Sequence, residues 1–546
     1  MKKLILILLS VCAITVHGQT NDIVQTDGFV NPLHQANVGR IVFMGSNIPL
    51  EQLKETDFLT AYELKLASDL SIRPFLANSI TNYLHQLAPD LPADELIKKG
   101  NYQFMFYVDG KSIYTENLHH GAGLKKHTTT TFRVPITSSK GEDWWAIYMF
   151  NRFMLNGGEK VLTDGTHQLK IEMRPYINVG EIKVGDIIAQ GEIQLIMKTP
   201  VLTQEEIAVQ PIQANSGWEI SNAPIDKPKI EEMNKLIALN KLKEITGVVV
   251  IKDGKLLLEE YFNKADRNTL HDTRSVGKSF ASTMMGFAIQ DGYIKNENQA
   301  LNKFYDLKQY ANYSTKKDSV KLRDLLSMSS AFNGNDSNME SPGNEENMYP
   351  TDNWVKFALD LPMDDSKANG KRWDYFTAGV VVLGDVIDKS VPGGLEKYAD
   401  KKLFAPLGIK NYEWQYTPQK VANTAGGLRM STLDYARYGQ LYQNKGKWKG
   451  KQLLSASWVA KTFTKQLPIG GRDNEYYGYL FWNKTFTING KNYETFYCTG
   501  NGGSKIYVFK DIPLTVVITA KAYGRPYGHP QVDKMMQEYI LPAVIK

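Results

Sequence analysis

Between residues 20 and 200, runs of hydrophobic, β-prone residues are separated by polar turn residues. The clearest run, residues 102–108, meets Asp109-Gly110 and is followed by a second β-prone run at 111–115. Two such runs joined by Asp-Gly predict a β-hairpin. Further strand candidates are residues 128–134, 167–173 and 191–197. We therefore expect an all-β, sandwich-like accessory domain over residues 19–200.

The pattern changes after residue 200. A stretch without clear periodicity contains four prolines, Pro200, Pro211, Pro224 and Pro228. Irregular, proline-containing segments of this kind are typical of linkers. We therefore expect a linker over residues 201–230.

Beyond the linker, strand-like runs lie at both ends of a long region and helix-like runs lie between them. A second hairpin is predicted at residues 247–261, with Asp253-Gly254 at its turn. The further candidates are helices beginning at 275, at 322–327 and at 379–389, strands at 505–509 and 514–519, and a closing helix through 531–540. This order predicts an α/β domain over residues 231–546, with one antiparallel sheet backed by a helical region.

The N-terminus has the layout of a cleaved secretory signal. Met1-Lys2-Lys3 is cationic, residues 4–16 are apolar, and the small Gly18 follows. We expect residues 1–18 to be removed and the protein to be exported, to the periplasm or the medium. The alternative is a buried N-terminal helix. No later segment approaches 18 consecutive apolar residues, so we expect no membrane span after cleavage.

Chain length, net charge and cysteine content exclude few classes of protein. A chain of 546 residues is longer than one hydrophobic core usually organises, which favours two or more domains. A net charge of +6 is too small over this length to argue for nucleic-acid binding. Once Cys12 leaves with the signal, Cys498 is alone, so the exported protein must rely on packing without an internal disulfide.

The central chemical signal is an S-x-x-K pattern, Ser275-Val276-Gly277-Lys278. Three residues make about one helical turn, so the hydroxyl and the amine lie on one face. A serine hydroxyl needs a neighbouring base to become a nucleophile. Residues 279–290 carry no charge, which predicts a buried helix in which the neutral amine is favoured. The alternative is that Ser275 only caps the helix and Lys278 extends to solvent.

The same pattern occurs a second time, at Ser314-Thr315-Lys316-Lys317. This copy lies in a polar run, residues 312–318, with no apolar helix after it. Context therefore selects Ser275 as the nucleophile and Lys278 as its base.

The sequence from about residue 235 to 546 resembles the serine β-lactamases and penicillin-binding proteins, particularly class C β-lactamases and related esterases. In that family a Tyr-x-Asn element follows the serine and lysine, and residues 373–384 resemble its surroundings. The resemblance implies a β-lactamase/transpeptidase-type fold and makes Tyr375 a proton relay; the alternative is a core tyrosine. Literal Tyr-x-Asn triplets begin elsewhere, at Tyr176, Tyr261, Tyr310 and Tyr442.

A third element resembles the family's Lys-Thr-Gly strand. Residues 499–504 precede the strand candidate at 505–509, with Asn501 at the lysine position. The resemblance implies that Gly503 lets substrate approach the backbone and that the N–H groups of Ser504 and Ser275 form an oxyanion hole. The alternative is a glycine-rich turn. Other stretches resemble the scaffold, including the Gly-Gly-Leu turn at 425–428.

Two positions depart from the family pattern. Thr377 stands where the family has Asn, and Asn501 stands where β-lactamases have Lys. Loss of one charge-assisted hydrogen bond to a substrate carboxylate costs ~1.5–3 kcal/mol. We therefore expect an esterase-like or peptidase-like enzyme rather than an efficient β-lactamase.

The resulting hypothesis is an exported serine hydrolase that forms an acyl-enzyme on Ser275. The bond cleaved would be an ester, amide or peptide bond, in a small molecule, a peptide or a compound derived from the cell wall. The reaction would need no cofactor. One alternative is a penicillin-binding or sensor-like protein, or a true β-lactamase, with little or different turnover. Another is glycan binding by the N-terminal domain through Trp144, Trp145 and Tyr148, although these aromatics also suit a core. His119-His120 lack a third ligand, so no metal is expected.

Overall fold

The computed structural model describes residues 22–65, 69–120, 122–123, 126–138 and 144–545. The chain divides into two compact units, Met1–Val201 and Leu202–Lys546. The predicted signal peptide, residues 1–18, lies outside the described residues. Among those that are described, none of the helices combines the length and apolar character needed to span a bilayer.

The first unit is rich in strands. They are β1 (Ile41–Met44), β2 (Ala61–Leu64), β3 (Leu70–Pro74), β4 (Gly100–Val108), β5 (Lys111–Asn117), β6 (Val134–Thr137), β7 (Gly165–Asn178), β8 (Ile182–Val184) and β9 (Ala189–Met197). A six-stranded sheet has the order β2-β9-β7-β4-β5, with β8 paired to β7, and a three-stranded sheet has the order β1-β3-β6. Only β2 and β9 pair in parallel among these neighbours within the described residues.

The predicted hairpin over residues 102–115 is confirmed, since β4 and β5 pair antiparallel on either side of Asp109-Gly110. Both turn residues have positive φ, 49° and 77°, as the tightest hairpin turns require. The candidates at 167–173 and 191–197 lie within β7 and β9. The candidate at 128–134 is mostly irregular, and only its last residue belongs to a strand, β6.

The expected all-β sandwich is not confirmed, because helices contribute to this unit's core. They are α1 (Pro32–Ala36), α2 (Ile80–Leu87), α3 (Ala93–Lys99), α4 (Trp144–Phe153) and α5 (Glu159–Val161), with a 3-10 turn at Glu55–Asp57 and a π-turn at Met154–Gly158. The Ser79 side chain accepts a hydrogen bond from Asn82 N and so caps α2. Ile80 and Leu84 lie one helical turn apart and are both buried. This spacing is typical of a helix, whereas only strands were predicted for this unit.

The predicted glycan-binding aromatics lie on α4. Trp145 is half-buried and packs against the hydrophobic core of the first unit. Tyr148 is also half-buried, and the side chain of Trp144 lies outside the described part of the chain. Glycan binding by this unit stays a prediction.

The second unit is built on an antiparallel sheet. Its strands are β10 (Ile245–Lys252), β11 (Lys255–Tyr261), β12 (His271–Asp272), β13 (Tyr412–Trp414), β14 (Leu428–Met430), β15 (Lys447–Trp448), β16 (Lys451–Gln452), β17 (Leu467–Pro468), β18 (Tyr476–Tyr477), β19 (Trp482–Ile488), β20 (Lys491–Thr499), β21 (Lys505–Phe509) and β22 (Leu514–Ala520). Eight of them form one sheet in the order β11-β10-β22-β21-β20-β19-β18-β17. The first and last strands of the domain, β10 and β22, are thus neighbours in one antiparallel sheet, as the sequence pattern predicts.

Helices precede β10, make up much of the chain between β11 and β19, and close the C-terminus. They are α6 (Gln204–Ile207), α7 (Lys227–Ala238), α8 (Gly277–Gln290), α9 (Thr315–Asp318), α10 (Leu322–Leu326), α11 (Glu345–Met348), α12 (Trp354–Asp360), α13 (Thr377–Ser390), α14 (Gly394–Ala399), α15 (Ala405–Leu407), α16 (Thr432–Gln443), α17 (Ala456–Thr462), α18 (Gly528–Lys534) and α19 (Leu541–Val544). Further turns are 3-10 at Arg274–Val276, Leu301–Lys303 and Leu307–Gln309, and π at Asp400–Phe404 and Met535–Ile540. α16 packs on the sheet, and α8 packs against α13.

The segment predicted as a linker, 201–230, lies almost entirely within the second unit. Gln210 N donates to the carboxylate of Glu260, and the Gln210 side chain pairs with the backbone of Tyr261 on β11. α6 and the beginning of α7 also fall in this segment. These contacts attach the segment along the edge strand β11.

Candidate active site

Ser275 lies in the 3-10 turn that leads into α8. Arg274, directly before it, has a left-handed backbone with φ 51°, a conformation that costs a non-glycine residue of order 1–3 kcal/mol. Strain of this kind persists only where surrounding structure holds it, and it is common next to reactive groups. The helix that follows has no side-chain cap, so Ser275 does not serve as its N-cap.

Lys278 lies in the first turn of α8, where every residue from 277 to 288 is buried. The side chain of Lys278 is 2% exposed. Its Nζ lies 2.7 Å from Ser275 Oγ and donates to the carbonyl oxygen of Ala425 at 2.6 Å. The amine therefore faces the serine hydroxyl inside the protein. Lys278 does not extend to solvent.

The carbonyl of Ala425 belongs to the Gly-Gly-Leu turn, which the sequence comparison treats as scaffold. A Cβ added to Gly277 would lie 3.3 Å from the Cα of Gly426, and one added to Gly426 would lie 3.3 Å from the backbone of Arg274. Small residues on both sides thus let this turn approach the start of α8. The turn positions the base as well as supporting the fold.

Tyr375 lies beside the same pair of groups. The Nζ of Lys278 is 5.2 Å from the centre of the Tyr375 ring. Burial raises the pKa of Tyr375, while the positive charge of Lys278 and a hydrogen bond with Ser275 act in the opposite direction. The phenol is therefore within hydrogen-bonding reach of the nucleophile.

Asp336 binds the backbone of Tyr375 and of Thr377, two residues further along. Its N–H donates to Tyr375 O at 2.8 Å, and its carboxylate accepts from the N–H of Thr377 at 2.7 Å and of Glu345 at 2.8 Å. Burial, followed by the charge of Glu345, raises the pKa of Asp336 to about 6. Sequence reasoning did not identify this residue, because it lies in an irregular loop without a motif.

The end of β20 approaches the nucleophile closely. A Cβ added to Gly500 would lie 1.8 Å from Thr273 O and 3.0 Å from the backbone nitrogen of Ser275. Only glycine leaves room for this approach. The backbone of Gly500 therefore packs directly against the amide of Ser275.

These groups open into a cleft of about 350 Å³. Of the seven site residues predicted from sequence, Ser275, Tyr375 and Asn501 line it. Lys278 lies beneath Ser275. Asn501 is exposed, and its side-chain oxygen accepts from Gly524 N at 2.8 Å.

Thr377, Gly503 and Ser504 are not among the residues that line the cleft. Thr377 is 2% exposed and begins α13, where its N–H binds Asp336. Ser504 is 1% exposed, and its hydroxyl bonds to the backbone of Ala520 on β22. A role of these three residues in substrate binding stays a prediction.

The cleft also contains titratable residues that the sequence motifs did not identify. Arg472, Lys505, His529, Asp533 and Glu345 all line it. One signal was available for Lys505, since it is the single charged residue of the apolar strand β21 and is 3% exposed. Arg472 lies in a polar loop, where nothing in the sequence marks it.

The buried Lys505 and the half-buried Asp533 form an ion pair in the cleft, with Nζ and Oδ1 2.5 Å apart. Burial lowers the pKa of Lys505 to about 8. Burial acts to raise the pKa of Asp533, but Lys505 and Lys484 outweigh it and lower the value to about 2. The replacement of a motif lysine by Asn501 thus does not leave the cleft without cations.

A family model described as Beta-lactamase matches residues 239–534, more than half of the chain. The chain belongs to the β-lactamase family. This match confirms the resemblance inferred from the sequence motifs. The match begins after the first unit and leaves residues 1–238 outside it.

Several solved structures are similar to this β-lactamase-family chain. An octameric penicillin-binding protein homologue from Pyrococcus abyssi is 19% identical, with 57% of this chain and 76% of that chain covered and a TM-score of 0.45. A penicillin-binding protein from Bacillus halodurans is 16% identical (55% and 97% covered, TM-score 0.43). A D-stereospecific amidohydrolase from a Streptomyces species is also 16% identical (54% and 94% covered, TM-score 0.41). No curated protein matches the chain.

Proposed function

We propose that the protein is an exported serine hydrolase that cleaves an ester, amide or peptide through an acyl-enzyme on Ser275. The observation that carries this proposal is the buried amine of Lys278, 2.7 Å from the Ser275 hydroxyl. The bond from the same amine to Ala425 O orients it toward the serine hydroxyl, the position that a base for this serine needs.

In the first step, Ser275 Oγ attacks the substrate carbonyl carbon while its proton passes to Lys278. The bond from the carbonyl carbon to the leaving oxygen or nitrogen then breaks, and the proton is returned to that leaving atom. Tyr375 is the relay in this return, because its phenol is within hydrogen-bonding reach of Ser275 and its ring lies beside the amine. In the second step, water attacks the acyl-enzyme with the same groups acting in reverse.

The negative charge that develops on the carbonyl oxygen needs two N–H donors. The N–H of Ser275 is the first. For the second, we favour the N–H of Asn501 over that of Ser504, which does not line the cleft. The support is position: Asn501 lines the cleft and directly follows Gly500, whose backbone packs against the amide of Ser275.

Export is part of the proposal and rests on the signal-like pattern of residues 1–18. Expression of the full chain in a bacterium with an intact secretion system should give a product in the periplasm or medium that begins near Gln19. Intact mass and N-terminal sequencing measure this directly. A full-length product that stays in the cytoplasm would contradict export without affecting the proposed chemistry.

Labelling with a fluorophosphonate tests the nucleophile. The purified protein should gain the mass of one phosphonyl group, and peptide mapping should place it on Ser275. Chromogenic esters, amides and lactams should then be screened for turnover. Continuous turnover supports a hydrolase, whereas a burst equal to one acyl group per protein with no further product favours the sensor-like alternative. Absence of label on Ser275 would contradict the proposal.

A further inference from the structure

The carboxylate of Asp336 joins two helices at their first residues. One of its oxygens accepts from Thr377 N, at the start of α13, and the other accepts from Glu345 N, at the start of α11. The N–H of Asp336 donates to the carbonyl oxygen of Tyr375. Phe376, the residue before α13, provides no side-chain cap. Asp336 therefore satisfies the first N–H of this helix from outside it.

The loop that carries this carboxylate packs closely against the segment that carries Tyr375. The side-chain amide of Asn335 donates to Asp374 Oδ1 at 3.1 Å. A Cβ added to Gly334 would lie 2.3 Å from the ring of Phe376. A displacement of the loop would therefore displace the tyrosine.

Asp336 is not among the residues that line the cleft, whereas Ser337 and Glu345 are. Its effect on a reaction in the cleft therefore has to pass through the groups that it holds. Among these groups, Tyr375 has a phenol within hydrogen-bonding reach of Ser275. The carboxylate thus acts on the reacting atoms through one intermediate residue.

The carboxylate needs its charge to bind both N–H groups strongly, because protonation replaces one strong acceptor by a donor. Burial, followed by the charge of Glu345, raises the pKa of Asp336 to about 6 and outweighs the hydrogen bonds and the lysine charge that lower it. The titratable groups that interact with it electrostatically are Glu345, Lys278, Tyr349 and Tyr375. Its charge therefore changes within a pH range in which hydrolysis can be measured.

We propose that Asp336 is a positioning residue whose ionised carboxylate holds the phenol of Tyr375 where it can return a proton to the leaving group. This inference rests on the proposed function, in which Tyr375 is the relay. A misplacement of about 1 Å can lower the rate of a catalysed step ~100-fold. When Asp336 is neutral or replaced, the relay fails while the nucleophile and its base stay in place.

Two esters with the same acyl group test the proposal. 4-Nitrobenzyl acetate releases an alkoxide that needs a proton, whereas 4-nitrophenyl acetate releases a stable phenolate that does not. Asp336→Asn keeps the shape of the side chain and removes its charge. It should lower kcat/KM about tenfold or more for the benzyl ester and less than about threefold for the phenyl ester. Equal losses for both esters would show a merely structural effect and overturn the proposal.

Asp324→Asn is the matched control. Asp324 is 3% exposed, burial raises its pKa, and its carboxylate accepts from Lys321 N at 2.9 Å, but it does not line the cleft. Its replacement should leave the ratio of kcat/KM for the two esters unchanged. A change in this ratio as large as in Asp336→Asn would overturn the proposal.

A double-mutant cycle tests whether the effect passes through the phenol. In a Tyr375→Phe background, Asp336→Asn should lower kcat/KM for the benzyl ester less than about twofold, because the hydroxyl that it positions is gone. A loss as large as in the wild-type background would overturn the proposal. Thermal melting shows that each variant is folded.

The pH profile provides an independent measurement. The ratio of kcat/KM of wild-type protein to that of Asp336→Asn should be constant above about pH 7 and fall toward one below about pH 5, because protonation makes the wild-type residue neutral like the variant. A ratio that stays constant across this range overturns the proposal. If Asp336→Asn does not fold, the wild-type profile decides, since log kcat/KM should steepen below about pH 6, and an unchanged slope overturns the proposal.

The outcomes separate the two proposals. Unchanged kcat/KM of Asp336→Asn for both esters overturns the positioning role and leaves the serine hydrolase intact. If Ser275 of the wild-type protein is not labelled by a fluorophosphonate and neither ester is cleaved, both proposals fail.

Discussion

The chain contains two S-x-x-K segments, and the structure places them in different roles. Both lysines are buried, Lys278 at 2% and Lys317 at 0% exposure. In the first segment the amine lies 2.7 Å from the serine hydroxyl and the serine opens into a cleft. In the second, the Ser314 hydroxyl accepts the N–H of Lys317 and so caps α9, while the Lys317 amine donates to Ala311 O and Leu359 O.

The S-x-x-K spacing places a serine and a lysine within reach of each other in both segments. The position of the serine relative to the start of the helix decides whether its hydroxyl is free to react or caps the helix. Ser275 lies in a 3-10 turn before the N-cap of α8, so its hydroxyl is not used by the backbone. Ser314 is itself the N-cap, and capping occupies its hydroxyl. Two carbonyls occupy the Lys317 amine, whereas one carbonyl is bonded to Lys278 and leaves room for the serine.

The largest difference between the segments is expected from removal of each serine. Ser275→Ala should abolish hydrolysis by several orders of magnitude, because the nucleophile is lost. Ser314→Ala should keep normal turnover and lower the free energy of unfolding by about 0.5–2 kcal/mol through loss of a cap. Steady-state kinetics and urea unfolding measure the two effects. Full activity in Ser275→Ala would refute the assignment of the nucleophile.

Removal of each lysine sharpens the comparison. Lys278→Met should reduce kcat by orders of magnitude and leave a folded protein. Lys317→Met should keep kcat, because its amine bonds only to carbonyls in the interactions seen here, and should lower stability by about 1–3 kcal/mol through their loss. Comparable loss of kcat in both variants, measured well below their melting temperatures, would show that the effect is structural.

The difference in stability between wild-type protein and Lys317→Met should also depend on pH in a definite direction. Burial lowers the pKa of Lys317 below its ordinary value. Between the folded value and the unfolded value, about 10.4, the unfolded chain binds more protons, so stability from this group rises with pH. Wild-type protein should therefore gain stability relative to Lys317→Met across that window. A constant difference in melting temperature would contradict this.

A smaller effect is expected at the tyrosines, where the literal motif and the functional position again differ. Tyr375→Phe should lower kcat about 10²–10⁴-fold and change KM little, because the hydroxyl moves a proton and does not hold substrate. Tyr310 begins a literal Tyr-x-Asn triplet but does not line the cleft. Tyr310→Phe should therefore leave both constants unchanged. An unaltered kcat in Tyr375→Phe would leave the relay unassigned.

Local patterns predicted the elements whose own residues determine their structure. Both Asp-Gly hairpins and the buried helix after Ser275 are examples, since turn geometry and a long uncharged run act over a few residues. The helix α2 was missed because short amphipathic runs are ambiguous between strand and helix. In the site, Ser275 and Tyr375 carry motif signals.

Other site residues come together only through the fold. Asp336 is brought to Tyr375 by hydrogen bonds to backbone groups, which any loop sequence can make. Arg472 reaches the cleft because β17 and β18 form the sheet edge on either side of its loop. The assignment of Asn501 and Ser504 by alignment to a motif could not show that Gly500 is the residue packed against Ser275.

The buried thiol of Cys498 can report local opening of the strand β20. Its thiol is 1% exposed, and burial raises its pKa to about 12, so it is inert while β20 is paired with its neighbours. With residues 1–18 removed, it is the chain's single thiol. A reagent can modify it only during moments when the strand detaches, and Thr499 and Gly500 detach with it. The rate of thiol modification under native conditions thus reports how often the end of β20, which packs against Ser275, opens locally.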